Sequence, residues 1–322
     1  MMDNLFAQAD LHFSVFRFTI AALDHLYLPE YKGSTFRGGL GTALALLCQK
    51  QSEKCRCDTC LDSASCPYAL LFSNPSTSAK TPPLQAQNLP HPFVLRPPLT
   101  TRTAFLPGEE IDFELILFGN FVSFLPFYIF AFDIFGELGI GKGRSRFSVR
   151  RISDGFTGKL IYSQESQITA KNFTVMSSGR IHEMVPAWKN ERMVFDFLTT
   201  TRILDNNKMV MNVDFSLLVR SLLRRASNLA ALYEGQVWPL EYHMIIEQAG
   251  QLVPKFAASL HPASWERYSS SQQTRMTMEG FRGRIIYTGD FQPFLPLLFL
   301  GHYTHIGSKT TFGMGQYVVK ED

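Results

Sequence analysis

A six-residue pattern occurs twice in the chain and constrains the fold more than any other feature. The pattern FxxFLP spans residues 121–126 and 291–296, and each copy precedes an apolar helical segment, a glycine-rich turn and a strand. In the turns, IGKGRSRF (140–147) parallels IGSKTTF (306–312). Because pattern, order and following turn all agree, we interpret the two regions as an internal duplication rather than as chance similarity of two apolar helix starts.

The first half of the chain has the element order of a ferredoxin-like fold. Hydrophobic periodicity predicts a strand over 11–23, a helix over 35–49, strands over 93–96 and 110–118, a helix over 125–137 and a strand over 148–152. The first strand changes phase at Val15–Phe16, which indicates a bulge or burial on both faces. The order β-α-β-β-α-β is that of the ferredoxin-like motif.

The second half offers similar elements. We expect a strand over 193–204, a helix over 215–233, a less regular helical segment over 236–264, paired strands over 274–278 and 283–287, a helix over 295–303 and a strand over 316–320. The sequence therefore predicts an α+β fold of two tandem ferredoxin-like (RRM-like) domains. The first would cover 1–155 with a cysteine-rich insertion at about 50–90, and the second 156–322 with the glycine-rich loop at its end.

Composition limits the class of protein. A hydrophobic content of 45% can fill a large core, and a net charge of +3 does not by itself indicate nucleic-acid binding. The start, MMDNLFAQAD, lacks a basic segment typical of a secretory signal. The longest apolar stretch, 121–132, contains Ser123 and Pro126 and is too short to span a bilayer. We therefore expect a cytoplasmic location and no membrane partner.

Four cysteines lie within twelve residues. Thiolates at this spacing can converge on one tetrahedral ion, so we predict a structural zinc site, with an iron–sulfur cluster as the lesser alternative. A site closed by four cysteines would not take part in the chemistry, and we expect no cofactor for catalysis. Cys48 should face the core with Leu44 and Leu47. The expected ligands are Cys55, Cys57, Cys60 and Cys66.

The segment GHYTHIGSKTTFGMGQY (301–317) is the most informative stretch of the sequence. Glycines at 307, 313 and 315 permit backbone conformations and close approaches that a Cβ atom would block. Donors suited to phosphate oxygens follow at Lys309, Thr310 and Thr311. The segment ends in a strand and does not match the P-loop pattern, which opens a helix.

Basic residues cluster at three further places. Phosphate contacts would use such groups, although an ordinary solvated face is the alternative for each cluster. The clusters are Lys142, Arg144, Arg146, Arg150 and Arg151 after the first glycine-rich turn, Arg220, Arg224 and Arg225 at helical spacing, and Arg282 and Arg284 on an expected hairpin.

Three motifs resemble one known family. HIGSKTTFGMG, between a helix and a final strand, resembles the C-terminal glycine-rich signature of the CRISPR pre-crRNA-processing endoribonucleases of the RAMP superfamily. YKGSTFRGGLGTAL, from Tyr31, resembles a segment common across RAMP proteins, and the run CxCxxCxxxxxCPYALLF resembles a cysteine insertion of some processing enzymes. The resemblance implies metal-independent cleavage of CRISPR repeat RNA in precursor transcripts, leaving a 2′,3′-cyclic phosphate and a 5′-hydroxyl.

The resemblance also suggests site residues. Cleavage needs a base, an acid and a cation, and histidine titrates in the range that suits either proton role. His305 beside Lys309 is the preferred pair, and His25 near Tyr31 is the second candidate because the family often places its histidine in the N-terminal half. RNA contacts are expected from Lys32 and Arg37 of the N-terminal motif, from the basic clusters, and from Gly307, Thr310, Thr311, Gly313 and Gly315 of the C-terminal one.

Two rival functions remain open from sequence. A non-catalytic RAMP subunit, bound to guide RNA and to other CRISPR effector subunits, would carry the same N-terminal motif. A metal-cluster redox protein would explain the cysteines but would leave the glycine-rich C-terminal segment without a role.

Overall fold

The structure is a computed structural model that describes residues 10–48, 66, 68–73, 89–166, 172–185, 187–269 and 274–322. It divides into two compact units. The N-terminal unit is Ser14–Val175, and the C-terminal unit consists of Met176–Asp322 together with the residues up to Phe13.

The N-terminal unit is a ferredoxin-like sheet with two helices on one face. Its antiparallel sheet has the order β3-β5-β1-β6-β7, so the first and third strands of the motif are central. The apolar faces of α1 and α2 form one core with this sheet, including Phe18, Phe113 and Phe132. The elements are β1 (His12–Ala22), β2 (Leu26–Tyr27), α1 (Gly33–Leu46), β3 (Phe93–Arg96), β4 (Ala104–Phe105), β5 (Glu110–Phe118), α2 (Leu125–Leu138), β6 (Phe147–Asp154) and β7 (Leu160–Ser163).

The phase change predicted in β1 has a structural counterpart. Every residue of β1 is buried except His12 and Arg17, so both faces of this strand are covered. The register with β6 also shifts between Thr19 and Ile20, where Arg150 is the extra residue on the partner strand. Burial on both faces therefore accounts for the phase change at Val15–Phe16, whereas the register shift lies farther along the strand.

The C-terminal unit repeats the topology. Its sheet has the order β12-β13-β9-β14, with the first and third strands of the motif again central. Phe195 of the central strand packs against the rings of Tyr287 and Tyr317 on its two neighbours. The elements are β8 (Met176–Ser177), β9 (Arg192–Thr201), β10 (Leu204–Asp205), β11 (Lys208–Met209), α3 (Phe215–Tyr233), α4 (Tyr242–Leu252), β12 (Lys255–Ser269), β13 (Thr274–Thr288), α5 (Leu295–Thr304) and β14 (Tyr317–Glu321). The predicted pair of ferredoxin-like folds is confirmed.

The FxxFLP pattern marks the same junction in both units. In each copy a 3-10 turn passes into the second helix of the motif, at Leu125 in one unit and Leu295 in the other. Proline follows at the second helical position, where a missing N–H costs nothing because that donor would be unpaired anyway.

One sequence interpretation of the second half was wrong. The segment 236–264 was expected to be helical, but α4 ends at Leu252 and β12 begins at Lys255. The two short strands expected at 274–278 and 283–287 are parts of one strand, β13, which pairs with β12 along its whole length. Alternation in β12 is weak because most of its side chains are exposed, so periodicity could not identify it.

One helical stretch, Gly119–Leu138, is long and apolar enough to cross a membrane by composition alone, and 44% of it is buried inside the fold. Its buried residues pack on α1 and on the sheet of the N-terminal unit. The core helix of a globular domain has the same composition.

Candidate nuclease site

The C-terminal glycine-rich loop, 305–316, connects α5 to β14 through several left-handed residues. Positive φ angles occur at His305, Gly307, Lys309, Gly313 and Gly315. A Cβ atom at Gly307 would collide with the carbonyl oxygen of Arg202, and one at Gly315 with that of Ile306. Glycine is therefore required at both positions by conformation and by space.

Hydrogen bonds tie this loop to the end of β9. The amide of Gly315 donates to the Thr200 carbonyl at 3.1 Å, and the amide of Ser308 donates to the Arg202 carbonyl at 3.0 Å. The hydroxyl of Thr199 donates to the Gly313 carbonyl at 2.8 Å and accepts from the Gln316 amide at 3.0 Å. The loop conformation is thus fixed from inside the protein.

Two of the predicted phosphate donors in the loop are buried. Thr310 is 3% exposed and Thr311 is 5% exposed. They lie in the 3-10 turn between the left-handed residues Lys309 and Gly313. In this conformation their hydroxyls are not presented to a ligand in solvent, whereas the side chain of Lys309 is exposed.

The two residues of the preferred catalytic pair, His305 and Lys309, lie in different environments within this loop. His305 is fully buried, and its Nδ1 atom lies 3.0 Å from the carbonyl oxygen of Met314. Lys309, four residues later, is on the outer surface. The histidine therefore links the two ends of the loop, and the lysine supplies its exposed charge.

Arg225, which its helical spacing grouped with Arg220 and Arg224 in a basic cluster, is instead buried under the start of this loop. The Nε atom of Arg225, on α3, donates to the carbonyl of Thr304, the last residue of α5. Burial lowers the pKa of this guanidinium to about 9. A cation at the carboxyl end of a helix is stabilised by the helix dipole, so Arg225 fixes where α5 ends.

The neighbouring arginines of α3 point outward, as the helical spacing predicted. Arg220 and Arg224 are both exposed, and Arg220 pairs with Asp205 at 2.7 Å. Helical spacing places Arg220 and Arg224 on one face of α3, and Arg225 is adjacent to Arg224 in sequence. The sequence alone therefore could not show that the side chain of Arg225 points into the protein.

The N-terminal glycine-rich turn has a different surface. The Ser145 hydroxyl donates to the His25 carbonyl at 2.7 Å, which fastens the turn to the segment after β1. His25 is exposed, and so are Lys142 and Arg144 of the turn. The structure therefore places one predicted catalytic histidine and two predicted RNA contacts on adjoining exposed segments of one unit.

The third basic residue of this turn is held by an acid. Arg146 donates to Asp24 through its amide at 2.9 Å and through Nε at 3.1 Å. The hydrogen bond from the Arg146 side chain lowers the pKa of Asp24. Part of the charge of Arg146 is thus already matched within the protein.

The basic residues of the N-terminal motif are engaged in the fold. Lys32 is fully buried, and its Nζ atom donates to the carbonyls of Glu30 at 3.0 Å and Thr100 at 2.7 Å. Burial lowers the pKa of Lys32. The guanidinium of Arg37 covers the ring of Phe72 at 4.2 Å, and Tyr31 is half-buried. In this conformation Lys32 connects two loops and does not face a phosphate.

The outer faces of the two sheets differ in charge. In the N-terminal unit, Arg17 and Arg96 share Glu114, and Arg151 pairs with Glu110. In the C-terminal unit, Arg284 and Lys320 lie 3.2 and 3.9 Å from one carboxylate, Asp196. Arg282 is also exposed there and donates to the Leu198 carbonyl. The second face therefore carries an excess of positive charge. The charged residues compared are Arg17, Arg96, Arg151, Glu110 and Glu114 on the outer face of the N-terminal sheet, and Arg282, Arg284, Lys320 and Asp196 on that of the C-terminal sheet.

The predicted metal ligands lie mainly outside the described residues. This applies to Cys55, Cys57 and Cys60, whereas Cys66 is described and half-exposed. Cys48 is also half-exposed, so its predicted burial in the core was wrong; it follows the last turn of α1. Within the described ranges, no group of three or more His, Cys, Asp or Glu side chains could hold a metal ion.

Sequence profiles of known families match both units. Residues 11–173, just over half of the chain, match the N-terminal domain AF_1859_N. Residues 195–317, which include the glycine-rich loop, match the profile described as the CRISPR-associated endoribonuclease Cas6. The chain therefore belongs to the family defined by the AF_1859_N domain, with a Cas6 endoribonuclease domain in its C-terminal unit. The match to the Cas6 endoribonuclease profile identifies the protein as an RNA endonuclease.

The similarity to known proteins extends over nearly the whole chain. An uncharacterized protein of Archaeoglobus fulgidus is 25% identical over 303 residues, which are 91% of this chain and 93% of the relative. A Cas6 product complex from Thermus thermophilus has a TM-score of 0.55 at 17% identity, over 96% of this chain and all of that one.

A longer protein shares the fold as well. A chain of a partial Cas6-RT-Cas1–Cas2 complex has a TM-score of 0.58 at 13% identity and covers 97% of this chain. The present chain spans 46% of that longer one. At these identities the two structures support the shared fold.

Proposed function

We propose that this protein binds CRISPR repeat RNA and cleaves it within precursor transcripts to give guide RNAs. The observation that carries the proposal is the Cas6 endoribonuclease domain at 195–317, which ends in a glycine-rich loop. Other CRISPR subunits are the expected protein partners, and the expected location is the cytoplasm.

The proposed reaction is a transesterification by the RNA itself. The 2′-oxygen next to the scissile bond attacks phosphorus, and the bond from phosphorus to the 5′-oxygen breaks. A base takes the proton of the 2′-hydroxyl, and an acid gives a proton to the leaving 5′-oxygen. The products are a 2′,3′-cyclic phosphate and a 5′-hydroxyl. Side chains can supply every proton in this scheme, so we propose that cleavage is metal-independent.

Burial decides which histidine we propose for proton transfer. A general acid or base must come within hydrogen-bond distance of the RNA. His25 is exposed beside a turn that carries Lys142 and Arg144, whereas His305 is buried and bonded to Met314. We therefore propose His25 for proton transfer and His305 for holding the loop. Tyr31 is half-buried in the same connection and is a further candidate for the reaction.

Phosphate binding is proposed for the exposed cations. Lys309 on the loop and Lys142 and Arg144 on the N-terminal turn are all exposed. The basic outer face of the C-terminal sheet, with Arg284 and Lys320 around one carboxylate, would add a further attraction. On the outer face of the other sheet, Arg17, Arg96 and Arg151 are paired with Glu110 and Glu114, so that face offers a weaker attraction.

A non-catalytic RNA-binding subunit is the second candidate. The burial of His305, Thr310 and Thr311 favours it, because a loop fixed from inside is suited to binding and contributes no proton-transfer group of its own. A redox protein built around the cysteines is not favoured, because the Cas6 match accounts for the C-terminal segment.

The test is cleavage of repeat RNA labelled at its 5′ end, under single-turnover conditions with EDTA. We expect one cut in the repeat, with fragments that carry a cyclic phosphate and a free 5′-hydroxyl. A 5′-phosphate on the downstream fragment would contradict the proposed chemistry. Tight binding of uncut repeat RNA under all conditions would instead favour the non-catalytic subunit.

We also propose one structural zinc ion held by Cys55, Cys57, Cys60 and Cys66. Their spacing carries this proposal, since thiolates are preferred ligands of zinc. Elemental analysis of untagged protein should give about one zinc per chain. Four freely titratable thiols with no bound metal would contradict it, and a bound iron–sulfur cluster would replace zinc.

A further inference from the structure

The long hairpin of β12 and β13 reaches the glycine-rich loop through a small cluster of its own. Met278 of β13 packs with Phe312 and Met314 of the loop, and Trp265 of β12 packs against them. The register pairs Trp265 with Met278, so two directly opposed residues of the hairpin both contact the loop cluster. Over 255–267, the part of β12 whose burial is described, no side chain is fully buried, so this cluster helps to fasten the outer part of the hairpin to the protein.

An arginine of the same hairpin covers the loop ring. The guanidinium of Arg267 lies 4.8 Å from the centroid of the Phe312 ring. Its Nη2 atom lies 3.3 Å from the sulfur of Met276, its register partner, and sulfur is only a weak acceptor. Its Nε atom is buried without an acceptor, and no carboxylate among the described residues pairs with it. The aromatic face is thus the principal anchor of this cation.

A second arginine, next to the register partner of Arg267 on the other strand, behaves differently. Arg275 is 82% exposed and lies 3.8 Å from Glu266. Both arginines lie near the outer end of the hairpin, so they differ mainly in what they touch. Arg275 therefore serves as a control for general charge on the hairpin.

We propose that Arg267 is a positioning residue that acts through Phe312, so that the hairpin straps the glycine-rich loop into its RNA-binding conformation. This inference rests on the proposed function, because it takes the glycine-rich loop to bind RNA and identifies the hairpin as the element that supports it. Phe312 ends the 3-10 turn that follows Lys309, and its amide donates to the Lys309 carbonyl at 3.0 Å. Holding the ring therefore holds the turn that directs Lys309 outward.

The experiment compares loop exchange with RNA binding in four variants: Arg267→Met, Arg267→Lys, Phe312→Leu and the Arg267→Met/Phe312→Leu double variant. Hydrogen exchange is followed in the loop peptide, which contains the bonded amides of Phe312, Gly313 and Gly315. Arg267→Met should speed exchange about fivefold, the scale of a lost cation–π contact, and Arg267→Lys should recover part of it. Arg275→Met should leave exchange unchanged.

The RNA readout separates positioning from direct contact. Arg267→Met should raise the Kd for repeat RNA about fivefold and leave the cleavage rate at saturation within twofold. In the Phe312→Leu background, Arg267→Met should add little to either readout, because the ring through which it acts is gone. Equal effects in both backgrounds, or weaker RNA binding with unchanged loop exchange, would overturn the proposal, as would faster exchange with unchanged RNA affinity. If wild-type protein bound repeat RNA but did not cut it, the proposed cleavage activity would be wrong. The exchange and affinity measurements would still test whether Arg267 positions the loop through Phe312.

Discussion

Each ferredoxin-like unit passes from its second helix to its last strand through a glycine-rich segment, and the two segments expose different groups. The N-terminal turn leaves Lys142 and Arg144 exposed and is fastened to the chain beside exposed His25. In the C-terminal loop, residues 310–315 and His305 are all buried, and Lys309 is the exposed charge.

This difference shows that similar glycine patterns can serve different purposes. In the C-terminal loop the glycines let the backbone fold against β9, and the polar side chains are used inside the protein. In the N-terminal turn, Gly141 likewise has a positive φ angle, and a Cβ atom there would collide with the Tyr27 carbonyl oxygen, whereas Gly143 has no positive φ angle and faces only the Ser145 hydroxyl. We infer that glycines shape the backbone of both segments, that the N-terminal turn also presents exposed basic groups, and that the C-terminal loop keeps most of its polar groups inside the protein.

The largest expected effect separates the two histidines. His25→Ala should lower single-turnover cleavage by roughly a hundredfold, the scale of a lost proton-transfer group, without changing thermal stability. His305→Ala should lower the melting temperature, because the Met314 carbonyl loses its hydrogen-bond partner. At temperatures well below its melting temperature, this variant should still cleave repeat RNA. Normal cleavage by His25→Ala with loss in folded His305→Ala would reverse the assignment.

The next effect concerns the glycines. Gly315→Ala should destabilise the protein by about 2 kcal/mol, because its φ of +77° and the nearby Ile306 carbonyl both oppose a Cβ atom. Gly143→Ala in the other turn is the matched control and should change stability by less than about 0.5 kcal/mol. Denaturant unfolding of both variants measures the difference, and equal losses would contradict the contrast between the turns.

A smaller effect is expected at the support of the loop. Thr199→Val keeps the side-chain shape but leaves the Gly313 carbonyl and the Gln316 amide without their partner. We expect a loss of about 1.5 kcal/mol in the free energy of unfolding. Thr42→Val is the control, because the Thr42 hydroxyl is exposed and bonds only within α1. Equal melting temperatures for the two variants would show that the buried hydroxyl does not hold the loop.

The smallest effect tests the exposed charges. Lys142→Ala should lower RNA affinity a few-fold and reduce the salt dependence of binding by about 0.7 in the log–log slope, as expected for one phosphate contact on single-stranded RNA. Lys309→Ala should act similarly. Lys159→Ala, an exposed lysine outside both segments, should leave the slope unchanged. Identical slopes for all three variants and wild type would remove these lysines from the RNA-binding surface.

The sequence predicted the fold better than the site. The repeated FxxFLP segment and the period of the apolar residues identified both ferredoxin-like units, because these patterns depend on local structure. Burial of polar groups depends on distant partners. Lys32 binds the Thr100 carbonyl and Arg267 covers Phe312, and neither pairing leaves a local pattern. The exposed strand β12 was missed for the related reason that it has almost no buried side.

We propose that this protein cuts repeat RNA by attack of the RNA's own 2′-hydroxyl. The most direct measurement uses repeat RNA with a single 2′-deoxy nucleotide immediately upstream of the mapped cut, in EDTA and at saturating protein. We expect this RNA to bind with unchanged affinity and to remain uncut, while the unmodified RNA is cut at the mapped site. Cleavage of the 2′-deoxy substrate at the normal rate would contradict it.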